Sequence, residues 1–171
     1  MNEIYTYTVP TFIKMLGGLK NVLNKCEQFA HEKGMTDAEF LESRLVPDMF
    51  PFSRQIQIAS DNAKGAVARL TGQEAPKYED TEATFSELQA RIDKTLAYVQ
   101  SVPESAFAHA AEQKITLPYF PGKFMNGFGY TCEYVLPNFF FHVTTAYAIA
   151  RMKGVGLGKM DYLNGLPLQD L

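Results

Sequence analysis

Tryptophan is absent from this 171-residue chain, cysteine occurs only twice and histidine only three times. Two cysteines, Cys26 and Cys132, cannot build a disulfide framework and lack metal-ligand spacing, so the expectation is reduced thiols in a cytoplasm, with Cys26 lining a core. A histidine-rich metal centre would consume nearly all of His31, His109 and His142. The chain contains no G-x-S-x-G elbow and no H-E-x-x-H helix, which removes the serine-hydrolase and zincin readings. Gly154, Gly156, Gly158 and Lys159 crowd together, but Met160 stands where a phosphate loop needs Ser or Thr. That segment also leaves a helix instead of opening one, and Lys159 occupies the place of a dinucleotide fingerprint's third glycine.

Charge of one sign is scarce too. The formal net charge is −3, with Lys and Arg interspersed among Asp and Glu, and no basic stripe tracks a phosphate backbone. Nucleic acid is therefore not an expected partner. The longest uncharged run, Tyr134 to Ala150, includes Pro137, Asn138 and His142 and falls short of the roughly 20 apolar residues a bilayer span needs, so no membrane association is expected. The start, MNEIYTYTVP, carries Glu3 and no basic stretch followed by an apolar run, unlike a secretory signal.

Bulky apolar residues are plentiful: hydrophobic residues make up 46%, with thirteen Phe and nine Tyr, enough for one domain spanning 1–171 with a sizeable core. Four helices are expected. From Thr8 to about Lys33, Phe12, Leu16, Leu19, Leu23, Cys26 and Ala30 recur at spacings of four and three, with Pro10 at the start and Gly34 as the stop. Gly17 and Gly18 inside that helix each cost roughly 1 kcal/mol against Ala and imply a second backbone packed close by. Thr36 and Glu39 form a capping-box pattern for a short helix.

The second long helix begins near Asp48 or Ser53 and ends at Gly72. Asp48, Gln55 and Asn62 follow one another at intervals of seven, a polar row beside small alanines. The third, from about Thr81 to Ser101, turns Phe85, Leu88, Ile92, Leu96 and Val99 inward, and Glu82, Glu87, Arg91 and Lys94 to solvent.

Short pieces follow, broken by the turn dipeptides Pro121-Gly122 and Asn126-Gly127. They are compatible with a short β-hairpin that includes Lys114 to Leu117, while Tyr130 to Leu136 fits either that region or a helical lead-in. The fourth helix, Pro137 to Gly154, is apolar on nearly every side and belongs inside the bundle. The Gly-rich tail after it has no helical periodicity.

His142 lies on this most buried helix. An unpaired buried imidazole costs roughly 1–3 kcal/mol, so it needs a partner, for which Asp48, Gln55, Tyr147 or a backbone carbonyl are the candidates. Burial would lower its pKa and a carboxylate such as Asp48 would raise it. These four residues are the candidate ligand-binding set.

The combination of YTYTVPTFIKMLGGL, PDMFPFSRQIQIASDNAKG and PNFFFHVTTAYAIAR followed by GVGLGKMDYL resembles a bacterial domain-of-unknown-function family grouped with the DinB/YfiT-like superfamily of metalloenzymes. The resemblance covers almost the whole chain. It implies an all-α, DinB-type four-helix bundle, often dimeric. Metal-binding members of that superfamily use one histidine on the second helix and an H-x-x-x-H pair on the fourth, and some act as thiol-dependent transferases or isomerases. Here the second helix has no histidine, and Ala146 stands four residues after His142.

The expectation is a cytoplasmic homodimer of unknown function that has lost the metal site, needs no cofactor and binds a small-molecule ligand or a protein partner. The alternative is a metal- or thiol-dependent enzyme using His142 with Asp48 and Gln55 and a divalent metal such as zinc or nickel.

Overall fold

The structure is a computed structural model and describes residues 2–170. Its frame is four long helical segments: α1 (Glu3–Glu32), α3 (Phe52–Thr71), α4 (Phe85–Ser101) and a last segment of α5 (Gly127–Gly129), a π-helical stretch (Tyr130–Val135) and α6 (Leu136–Met152). Two short helices, α2 (Asp37–Leu41) and α7 (Lys159–Leu163), complete the α-helical set. The all-α bundle read from the sequence is what the chain adopts.

α1 starts at Glu3, five residues before the expected Thr8, because the Asn2 side chain accepts the Tyr5 N–H at 3.0 Å and caps it there. Pro10 therefore lies inside the helix, on an exposed face where the carbonyl it leaves unbonded can meet water. α4 starts at Phe85, four residues after the expected Thr81, where Thr84 and Glu87 form a capping box. Asp80, at φ 56°, holds the preceding loop in a left-handed turn that Asp tolerates better than most residues.

α3 packs against both α4 and α6, and α1 lies across α4 and α6. Between them sits a core of Phe and Leu, including Phe12 edge-on to Phe139 at 4.9 Å. Phe40 of the capped helix α2 inserts between Phe52 at 5.3 Å and Phe85 at 5.5 Å, joining three helices at one point. Each such ring contributes about 1.5–3 kcal/mol through burial.

The close approach implied by Gly17 and Gly18 is made by the tail. α7 lies on α1, and an added Cβ at Gly18 would come within 3.0 Å of Asn164 and 3.2 Å of the Tyr162 carbonyl. Asn164 itself donates to the Lys14 carbonyl at 2.9 Å. The tail is thus part of the packed structure, with Val155 and Leu157 buried.

The β-hairpin is present and small. β1 (Lys114–Ile115) and β2 (Met125–Asn126) are antiparallel, with Lys114 opposite Asn126. Of the two expected turn dipeptides, Pro121-Gly122 does turn, with Gly122 at φ 74°. Asn126-Gly127 instead opens a helix, the Asn126 side chain accepting the Gly129 N–H at 2.7 Å. Tyr130 to Val135 resolves as the helical lead-in, wound as π-helix.

No described helix is long and apolar enough to cross a membrane. Cys26 is fully buried on α1, and burial pushes its thiol up to about 12, whereas Cys132 is exposed. Native protein treated with a thiol reagent is expected to label about one site per chain quickly. Rapid loss of both thiols before unfolding would contradict this packing.

Candidate functional site

α3 carries two polar faces. The face toward α6 and the π-helical stretch bears Gln55, Asn62 and Arg69, each seven residues on from the last, and so about 10 Å apart along the axis. This is the polar row read from the sequence, shifted by one member: Asp48 does not belong to it. Asp48 lies in a turn ahead of α3, exposed and without a hydrogen bond to His142, because Pro51 caps the helix and delays its start to Phe52.

At the first position the Gln55 carboxamide joins two elements. Its Nε2 donates to the Phe50 carbonyl at 2.9 Å, which turns Oε1 toward His142 Nδ1 at 2.7 Å. His142 must then be the donor, which assigns the proton to Nδ1 and leaves the Nε2 lone pair free. Burial, with the positive charge of Arg54 adding to it, pushes the His142 pKa down from 6.5 to about 4. The imidazole is neutral at pH 7. Tyr147 takes no part: it is half-buried, edge-on to Tyr162 at 5.9 Å.

A neutral imidazole whose Nδ1–H is held by a carbonyl oxygen is suited to be one metal ligand. The other ligands are missing. Gln55 is already committed, Ala146 has no donor atom, and among the described residues no three His, Cys, Asp or Glu side chains converge. The side chains present do not fit a three-ligand divalent site.

The lowered pKa of His142 makes stability depend on pH. Its folded pKa lies below the unfolded value, so the unfolded chain binds more protons between pH 6.5 and about 4, and stability falls as pH drops through that window. Denaturant midpoints measured from pH 7 to pH 4 are expected to show this acid loss. In His142→Gln the loss should shrink by on the order of 2–3 kcal/mol. An unchanged pH profile would mean that the imidazole is not protected.

At the second and third positions α3 borders a cavity of about 170 Å³. Its walls are Asp61, Asn62 and Arg69 from α3, Tyr130 and Tyr134 from the π-helical stretch, and Asn138 from α6, with Leu117 and Tyr119 of the hairpin loop over them. Asn62 is only 8% exposed, and its Nδ2 is buried with no hydrogen-bond partner. As placed, the carboxamide leaves that position unpaired, which costs about 1–3 kcal/mol without a ligand or water. Tyr130 and Tyr134, four residues apart and so on one face, stack at 5.7 Å within the π-helical stretch, a local form that recurs at functional sites.

The other polar face of α3 meets α4, and here the sequence reading is corrected. Arg91, expected in solvent, is fully buried. Its Nη2 donates to Asp61 Oδ1 at 2.7 Å and to the Gln57 carbonyl at 3.2 Å, and its Nη1 donates to Glu82 at 3.0 Å. Nη1 also lies 2.8 Å from Asp80 Oδ1, off the line of a good hydrogen bond. Arg54 binds Asp80 at 2.6 Å, and Lys64 binds Asp61 at 3.0 Å. Burial raises the Asp80 carboxyl pKa, but the hydrogen bond from Arg54 and the nearby charges of Arg91 and Arg54 outweigh it and hold the group below its usual value. The ring of Tyr78 covers this cluster, with Arg91 Cζ 4.9 Å and Lys64 Nζ 4.5 Å from its centre. No local pattern marked Arg91, since its partners come from α3 and from the loop before α4.

Comparison with known proteins agrees with this architecture. The family model described as a domain of unknown function, DUF1993, matches residues 4–163. The crystal structure of a DinB family member protein from Shewanella denitrificans, at 1.83 Å resolution, is 44% identical with a TM-score of 0.93, over 98% of this chain and 95% of that one. Among curated proteins none is similar to this chain. With a family match over nearly its full length and a bundle that superposes on a DinB family member, the chain belongs to the DUF1993 family and has a DinB-like fold.

Proposed function

We propose that this protein binds a small molecule in the cleft between α3 and the π-helical start of the last helix, and that it has given up the metal site of its superfamily. The observation that carries this reading is the unpaired, buried Nδ2 of Asn62 beside a cavity of about 170 Å³. Cavities for drug-sized ligands start at about 300 Å³, so the ligand is compact. The ligand takes the missing hydrogen bond once the Asn62 carboxamide turns toward the cavity, and it lies against Tyr134, the more exposed of the two stacked rings.

The test is a thermal-shift screen of small polar compounds against the wild-type protein and Asn62→Leu. Ligands that raise the wild-type melting temperature are expected to leave the variant unmoved. The variant alone should be at least as stable as wild type, since it no longer buries an unpaired amide. Equal shifts in both proteins would remove Asn62 from the site.

The alternative of a metal- or thiol-dependent transferase or isomerase keeps one observation in its favour, the free Nε2 of the neutral His142. Elemental analysis separates the two. One zinc or nickel per chain, lost in His142→Ala, would make the enzyme reading the leading one.

A homodimer and a cytoplasmic location are part of the proposal. Leu45, Val46 and Phe50 before α3 and Phe141 beside His142 expose apolar side chains at one end of the α3–α6 pair, a surface suited to a second copy. Two unpaired thiols suit a reducing compartment. Sedimentation showing only monomer at tens of micromolar would remove the dimer.

A further inference from the structure

Resting on the cleft reading, we propose that the ligand is a small organic carboxylate, its charged end held by Arg69 and Asn62 and its body laid against Tyr134. Arg69 is half-buried, and its Nη1 donates to the neutral phenol of Tyr130 at 3.2 Å. Among the described residues no carboxylate lies within ion-pairing distance of it. A guanidinium offers five donors in a planar fork, so one bond to a phenol leaves most of its capacity open.

Asp61 shares the cavity, and its charge has to be set against this. Its Oδ1 is held by Arg91 at 2.7 Å and by Lys64 at 3.0 Å, within a cluster in which Asp61, Asp80 and Glu82 share Arg54, Lys64, Arg91 and Lys94. Arg69 also borders a second cavity, about 570 Å³ and open toward solvent, together with Lys123 and with Lys114, whose ammonium lies 4.3 Å from the centre of the Phe124 ring. Arg69 is the one cation common to the cleft and this neighbouring cavity, around which Lys114 and Lys123 stand. They favour an anion over a neutral or cationic ligand of the same shape.

Gly65 is the second sign that the guanidinium has been given a place. An ideal Cβ there would lie 2.5 Å from Arg69 Nη1, so the bare α-carbon one turn earlier is what lets the guanidinium lie against the helix and reach Tyr130. Alanine would otherwise be the better residue inside a helix.

Benzoate, benzamide and benzamidine present the same planar body with charges of −1, 0 and +1, and titration calorimetry with each is the test. Benzoate is expected to bind at least about tenfold more tightly than benzamide, and benzamidine not to bind. Arg69→Met should remove about tenfold or more of the benzoate affinity. Gly65→Ala should do the same with unfolding stability kept or raised, because its methyl displaces the tip of a flexible side chain and not the backbone. That combination is one a merely structural role for Arg69 does not produce.

Equal affinity for benzoate and benzamide, or benzoate binding untouched by both variants, would overturn the carboxylate inference and leave the cleft reading standing. If none of the three binds while the screen yields ligands that depend on Asn62, the inference also falls alone. If no ligand of any charge depends on Asn62, the cleft reading has failed first.

Discussion

Replacing Arg91 by alanine is expected to lower unfolding stability by about 3–5 kcal/mol, far beyond the 0–1 kcal/mol of a surface ion pair. Truncation leaves Asp61, Asp80 and Glu82 facing one another around an empty space, with Arg54, Lys64 and the more distant Lys94 at the edges of the cluster. Asp61 and Asp80 keep partial access to water, but Glu82 is nearly enclosed. The Gln57 carbonyl also loses its donor. Arg91→Lys should recover little, since one ammonium cannot reach Gln57, Asp61 and Glu82 together.

Urea unfolding with an unchanged slope and a lowered midpoint would report the loss as one of stability. A cost under about 1 kcal/mol would mean that Arg91 reaches solvent. Because this cluster fastens the loop before α4 to α3, the Tyr78 to Glu82 stretch should become the first protease-sensitive site in the variant.

Gly127→Ala is expected to cost at least about 3 kcal/mol, at the upper end for overpacking. Gly127 is where the hairpin enters the last helix, and an ideal Cβ there would sit 1.6 Å from the Ala110 carbonyl oxygen. That neighbour is backbone, so no rotamer change relieves the overlap. The strand pair and the 108–111 segment must separate, which also breaks the Phe128 N–H bond to the Ala111 carbonyl at 3.2 Å. Since Tyr130 and Tyr134 follow directly, the same change should disturb the cleft. Thermal unfolding and ligand shifts measured on one sample test both parts. A stable Gly127→Ala protein would show that the hairpin docks differently.

The four long helices, the core stripe on α1 and the close approach at Gly17 and Gly18 were determined by the sequence itself. Helical periodicity, capping patterns and glycine within a helix are local signals, carried by residues a few positions apart. The same holds for the burial of His142, which follows from a helix apolar all round. Its partner was legible as a short set of choices, of which Gln55 proved the one in reach and Asp48 and Tyr147 did not.

Tertiary structure alone decided the rest. Arg91 sits among charged residues on a helix whose local pattern is that of a solvated face, and it is buried because α3 and the loop at Asp80 and Glu82 close over it. Arg69 and Tyr130 are 61 positions apart, and no spacing rule joins them. Charge satisfaction and cavity shape depend on which groups meet after the helices have packed, and that is a property of long-range geometry, which residue order specifies only through the folded whole.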